Sequence, residues 1–271
     1  MEKEINISAI QMCSEIGNKQ ANFHKLKELM VRDVKNNTDI IILPEVWNIG
    51  WKCEMFPDNA EEISSGETIA FLSSIAKEYN TFVIGGSFIE KRNNEFYNTC
   101  PVFNRNGELI GAYSKNHLFS HENSLEYKIL KKGGSPVIVN LDGLKVGLSI
   151  CYDIRFPEIY RAYRKAGADL LVNVAAWGRH KPVPWEIMTR SRAIENQTYM
   201  IALTQCGHIE GDEWNIGHSR IIDYKGEILN EIKDQKEGAM NYSINLNEMY
   251  EFRKNCNILS DIRQTYEVKI L

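Results

Sequence analysis

The chain has 271 residues, 43% apolar and 25% charged, proportions that exclude collagen-like, mucin-like and wholly disordered proteins. Lys and Arg number 32 against 36 Asp and Glu, a net charge of −4 that offers no electrostatic footprint for nucleic acid or an anionic membrane. No run approaches the roughly 18 apolar residues of a membrane span. Met1-Glu2-Lys3-Glu4 leads directly into an apolar segment without signal-peptide architecture, so a cytoplasmic location is expected.

Taken in chain order, Ile5 to Met12 alternates like a strand with one buried face. Phe23, Leu26, Leu29, Met30 and Val34 recur at helical spacing between about residues 18 and 35. Asp39 to Pro44 is a continuous apolar run of the kind a strand covered on both faces shows. A helix from Thr68 to Tyr79 and a strand from Thr81 to Gly86 follow. The middle of the chain reads as hairpins, turning at Asn106-Gly107 and Asp142-Gly143. Beyond these, the pattern predicts a helix at 158–166, a strand at 170–174, a helix at 185–196 and a strand at 199–204. A third hairpin turns at Lys225-Gly226, before a strand at 240–246 and a helical tail from about Asn247. No linker or repeat interrupts this order, so residues 1–271 read as one domain. Hairpins within strand–helix alternation predict a mixed α/β sheet, or two sheets with helices outside. A Rossmann-type sheet is weakened by the lack of a Gly-x-Gly-x-x-Gly turn after the first strand.

Six cysteines, at 13, 53, 100, 151, 206 and 256, include no Cys-x-x-Cys pair, which argues against a zinc ribbon or thioredoxin-like site. Singly, each reads as a small buried hydrophobe. Cys151 differs in its setting. It ends the run Val146 to Ile150, and Pro157 can open a helix six residues later. A side chain at such a junction can project from the sheet, where the next backbone N–H can help bind an oxyanion. Local features leave a core cysteine and a nucleophile equally open. Leu43-Pro44-Glu45 ends a buried strand with a carboxylate, an unusual place for a charge unless paired or catalytic. Ser114-Lys115 ends a hairpin strand with a cation. Each alone could be a solvated charge; together, three strands ending on reactive groups could converge at one sheet edge.

Leu-Pro-Glu at 43–45, Lys-x-His-Leu-Phe at 115–119 and Ile-Cys-Tyr-Asp-x-Arg-Phe-Pro-Glu at 150–158 resemble, in order and spacing, the signature blocks of the nitrilase or carbon–nitrogen hydrolase superfamily. Arg192 to Gln197 and Ser219 to Asp223 resemble later blocks, so the similarity runs from about residue 5 to 250. The resemblance implies a four-layer α-β-β-α sandwich of two mixed sheets with helices on the outer faces. It also implies a Glu45-Lys115-Cys151 triad and a second glutamate, for which Glu126, seven residues before Gly133, competes with Glu122. In that scheme Cys151 is the nucleophile, favoured as thiolate by the Lys115 ammonium. Glu45 carries the proton, and the oxyanion lies between Lys115 and the N–H of Tyr152. Glu126 orients substrate or Lys115, and neither a metal nor another cofactor is required.

Tyr152-Asp153 after the nucleophile favours an amide over a nitrile, and Asn173 to Arg179 with Trp185 resembles the ω-amidase branch, which cleaves the terminal amide of dicarboxylic acid monoamides. For such a small-molecule amide, Arg179 is the natural carboxylate anchor, with a solvated loop charge the equally open reading. Trp177, Trp47 and Phe119 are expected to wall the methylene segment, with ordinary core packing the competing reading of the tryptophans. Arg155 and Glu195 read as structural ion-pair members. An N-carbamoyl-amine hydrolase or nitrilase of the same family, a zinc hydrolase built on His117, His121 and Cys151, and a silent regulatory protein are the alternatives. The resemblance also implies a homodimer or a higher homo-oligomer.

Overall fold

In the computed structural model of the chain, which describes residues 4–120, 124–263, 265 and 267–271, strands and helices follow the order of the apolar runs. β1 (Glu4–Gln11), β2 (Ile40–Ile42), β3 (Phe82–Ile84), β4 (Phe88–Arg92), β5 (Glu95–Phe103) and β6 (Leu109–Ser114) form one sheet. β7 (Ile138–Leu141), β8 (Leu144–Ile150), β9 (Leu170–Ala175) and β10 (Tyr199–Thr204) begin the second. After a ribbon, β11 (His208–Glu210) and β12 (Glu213–Trp214), the second sheet is completed by β13 (Ser219–Ile222) and β14 (Ile228–Ile232). β15 (Gly238–Asn245) then returns to the first sheet, antiparallel to β1.

The first sheet has the order β15-β1-β2-β3-β5-β4, with β6 also paired to β5; the second runs β14-β13-β10-β9-β8-β7. Each has a parallel centre, β1-β2-β3 and β8-β9-β10, flanked by antiparallel hairpins. Both sheets are therefore mixed. The helices are α1 (Lys19–Asp33), the single turn α2 (Phe56–Asn59), α3 (Glu67–Tyr79), the single turn α4 (Glu126–Ile129), α5 (Pro157–Lys165), α6 (Pro182–Asn196) and α7 (Leu246–Asn255).

The two-residue period of a strand sends neighbours to opposite faces, so a continuous apolar run is what two covered faces require. Ile41 and Val83 pack with Leu26 and Met30 of α1 and Leu72 and Ile75 of α3. Their neighbours Ile40, Ile42, Phe82 and Ile84 join Val146, Leu148 and Ile150 of the second sheet. Between those three, Gly147 and Ser149 face α5: a Cβ on Gly147 would lie 2.7 Å from the Tyr163 ring, and Ser149 Oγ is 2.7 Å from the Tyr160 hydroxyl. Helices, sheet, sheet and helices make the four-layer α-β-β-α sandwich. Among the described residues, no helix is long and apolar enough to cross a membrane.

The β4–β5 hairpin, the β11–β12 ribbon and the single turns α2 and α4 had no counterpart among the elements predicted from the sequence. β4 and β5 form a hairpin turning at Asn93-Asn94, whose φ angles of 52° and 61° suit a tight turn without glycine. The β11–β12 ribbon turns at Gly211 with φ of 54°; its two short strands carry too few residues to show a period.

Candidate active site

β2 and β6 of the first sheet and β8 of the second run out at one place. Glu45 follows β2 by three residues, while Lys115 and Cys151 immediately follow β6 and β8. The chain turns sharply at two of these ends, with φ of 45° at Val46 and 47° at Cys151, conformations that cost energy for side chains other than glycine and are tolerated where surroundings enforce them. Ser87 fixes the first turn: its hydroxyl accepts from Val46 N at 3.0 Å and its N–H donates to Pro44 O at 3.2 Å.

Lys115, fully buried, lies between two carboxylates, 3.1 Å from Glu45 Oε1 and 2.6 Å from Glu126 Oε1. The Trp51 ring covers it at 5.2 Å. Glu45 Oε1 also accepts from Asn98 Nδ2 at 2.8 Å, and Glu45 Oε2 from Ala176 N at 2.7 Å. The Cys151 thiol stands next to Glu45. Glu126, on α4, accepts from Phe119 N at 3.2 Å through its other oxygen. Glu45, Lys115, Cys151 and Glu126 are thus brought together, while Glu122 and His121 lie outside the described residues. Tyr152 N–H belongs to the first turn of a 3₁₀ helix at Cys151–Arg155, where backbone donors lack a partner inside the helix.

Burial pushes the Cys151 thiol well above its ordinary range and Glu45 adds to the push, while the Lys115 ammonium opposes both, in the direction expected of it. Burial alone would discharge Lys115, but Glu126 and Glu45 outweigh it and hold the ammonium well above its usual value. Burial, reinforced by Glu45, raises Glu126 despite Lys115. These shifts favour a neutral thiol facing the Glu45 carboxylate, beside a cation fixed by two carboxylates.

Above these groups opens a cavity of about 720 Å³ lined by Trp51, Phe119, Cys151, Tyr152, Arg155 and Trp177, among others. Phe119 meets Tyr152 edge-on at 5.3 Å, and Trp177 is held by its indole N–H to Lys181 O at 2.8 Å. Both line the cavity.

Trp47 does not. It is fully buried, donates to Gly85 O at 2.9 Å and packs against Phe23 and Phe71 in the layer beneath α1 and α3. Arg179 is exposed and stacks over Trp214 at 5.1 Å, and is not among the residues that line the cavity. Arg155 is the reverse case. Glu195 pairs with Arg192 at 2.9 Å, whereas Arg155 lies over the rings of Tyr152 and Trp177, at 5.8 and 5.4 Å, in the cavity wall.

Trp51, Asn98 and Lys181 went unnoticed in the sequence. Asn98, fully buried within β5, carries a signal, since a buried amide needs a partner; Trp51 and Lys181 sit in loops without a period. The His117 ring is engaged by Asp153 at 2.7 Å and stacked on Phe156. Among the described residues no group of three His, Cys, Asp or Glu side chains is arranged to hold a metal ion; the zinc alternative includes His121, which lies outside them.

Residues 6–254 match the model of the family described as carbon-nitrogen hydrolase. The 2-oxoglutaramate amidase of Bacillus subtilis is 32% identical over 258 residues, covering 95% of this chain and 97% of that protein. Omega-amidase NIT2 of Mus musculus is 34% identical over 252 residues, covering 90% of each. A CN-hydrolase superfamily protein of Xanthomonas campestris, with an arsenic adduct in its active site, superposes with a TM-score of 0.88 at 25% identity over 98% of this chain and 100% of that one.

Proposed function

The chain belongs to the carbon-nitrogen hydrolase family, a group of amidohydrolases acting on non-peptide C–N bonds, and from that premise we propose that it is an ω-amidase that cleaves the terminal amide of a dicarboxylic acid monoamide through a thioester. The observation that carries this reading is the Lys115 ammonium, locked between Glu45 and Glu126, beside a thiol that opens into a cavity with Arg155 in its wall.

Glu45 takes the thiol proton as Cys151 Sγ attacks the amide carbon, so no resting thiolate is needed. The carbonyl electron pair moves to oxygen, which lies between Lys115 Nζ and Tyr152 N–H. Collapse expels ammonia with the proton from Glu45 and leaves the thioester. Glu45 then deprotonates a water that attacks the thioester, and the departing sulfur recovers the proton. Glu126 keeps Lys115 in line. Arg155 replaces Arg179 as the carboxylate anchor, because it lines the cavity and a guanidinium can pair bidentately with a carboxylate. Phe119 and Trp177 flank the methylene chain. For the assembled enzyme we propose a homodimer, as the resemblance implies; sedimentation should then return twice the chain mass.

The test is ammonia release from 2-oxoglutaramate, with Cys151→Ala as control. Release in the wild type that vanishes in a folded variant is the expected result. Ammonia with carbon dioxide from an N-carbamoyl amine, and none from 2-oxoglutaramate, would move the chain to the carbamoyl branch; silence across amides, carbamoyl amines and nitriles would favour a regulatory protein.

A further inference from the structure

Lys115 and Cys151 are supplied by different sheets, so some contact across the sandwich must set their separation. The residue placed to do so is Asp153, two positions after Cys151 and fully buried. Its Oδ2 accepts from Ile150 N at 2.9 Å and from the Tyr113 hydroxyl at 2.7 Å. Its Oδ1 accepts from His117 N at 2.9 Å and stands 2.7 Å from His117 Nδ1. Ile150 immediately precedes Cys151; Tyr113 and His117 lie two residues to either side of Lys115. The Tyr113 hydroxyl in turn accepts from Asn116 N at 3.2 Å, closing the turn that carries Lys115.

We infer that Asp153 is a positioning residue that ties the Lys115 turn of the first sheet to the Cys151 turn of the second and thereby sets the distance between cation and thiol. The inference rests on the hydrolytic reading given above. The chemistry of the group suits the task. An ionised carboxylate only accepts, and four donors use about all of its lone-pair directions. Donors arriving from both turns satisfy the buried charge, so neither turn can move off without leaving it unpaired. The same contact selects Nδ1 as the protonated nitrogen of His117 and fixes its ring on Phe156. Asparagine at 153 would present an N–H₂ to two of the four donors. Asp153 touches no reacting atom; its effect passes through Lys115 and Cys151.

The experiment compares Asp153→Asn and Tyr113→Phe with the wild type at a temperature where each is folded by circular dichroism. Turnover of 2-oxoglutaramate is measured together with alkylation of Cys151 by iodoacetamide at pH 8, followed peptide by peptide. A displacement of about 1 Å at a reacting group costs on the order of 10²-fold. Asp153→Asn should therefore lower kcat by roughly 10- to 100-fold with KM within about twofold. Tyr113→Phe, which deletes one donor, should lower it by several fold. Alkylation should slow in the same order, since Lys115 opposes the carboxylates at the thiol. Wild-type kcat and alkylation in both variants would overturn the inference, as would a rise in KM alone. If Asp153→Asn does not fold, Tyr113→Phe decides. If the wild type does not hydrolyse 2-oxoglutaramate, the substrate reading fails while the alkylation rates still judge Asp153.

Discussion

A single backbone angle decides which side chains near Glu45 reach the reaction. In an extended strand, residues two apart share a face, and on that parity Trp47 would accompany Glu45 into the cavity. The left-handed turn at Val46 breaks the parity and sends Trp47 to Gly85 and the layer beneath α1 and α3. Glu45, Lys115 and Cys151 were legible because each closes an apolar run, where a charge or a thiol stands out. Arg179 was read as the anchor and Arg155 as an ion-pair member, since sequence does not record which way such a side chain turns. The structure makes them differ in consequence. Arg155→Ala should raise KM for carboxylated amides by about 10- to 100-fold, the worth of roughly 1.5–3 kcal/mol for hydrogen bonds to a charged group. Its kcat should change little, and a neutral amide should be affected much less. Arg179→Ala should leave both substrates within about twofold. Steady-state kinetics of the two variants on paired charged and neutral amides check this, and equal effects of Arg155→Ala on both would remove it as the anchor.

At the scale of elements, the order of strands and helices follows from periodicity, whereas the pairing of two sheets came from the family resemblance. Hairpins marked by Asn-Gly or Asp-Gly were readable; the Asn93-Asn94 turn was not, because either residue accepts positive φ without the glycine that signals it. β8 shows how an element's composition answers its neighbour. Its larger residues face the other sheet, and Gly147 leaves room for Tyr163, whose hydroxyl donates to Leu148 O and accepts from Val137 N. Gly147→Ala would press a methyl into that ring, 2.7 Å away. Overpacking of this kind costs about 1–3 kcal/mol, so thermal unfolding should move down by several degrees. A melting temperature at or above that of the wild type would mean that α5 yields without cost.

For the whole molecule, the site is a set of buried ionisable groups at the junction of two sheets, and that placement makes stability depend on pH. Cys151 is held as a thiol by burial and by Glu45, so its folded pKa lies above the ordinary 9.0. Above pH 9 the unfolded chain loses this proton and the native one keeps it, which favours unfolding as pH rises. Lys115 acts with the same sign but later. Its folded pKa lies above the ordinary 10.5, so its stabilising contribution is complete below that value and is lost on going above it. Between pH 9 and 10.5 the cysteine alone of these two should therefore steepen the loss of stability, by up to about 1.4 kcal/mol per pH unit. Cys151→Ala removes that slope and retains the lysine. Urea unfolding of wild type and variant across pH 8 to 10.5 should give curves that run parallel at the lower end and separate above pH 9, the wild type falling faster. Parallel curves throughout would show that the thiol titrates alike in both states, and that burial and Glu45 do not hold it above its ordinary value.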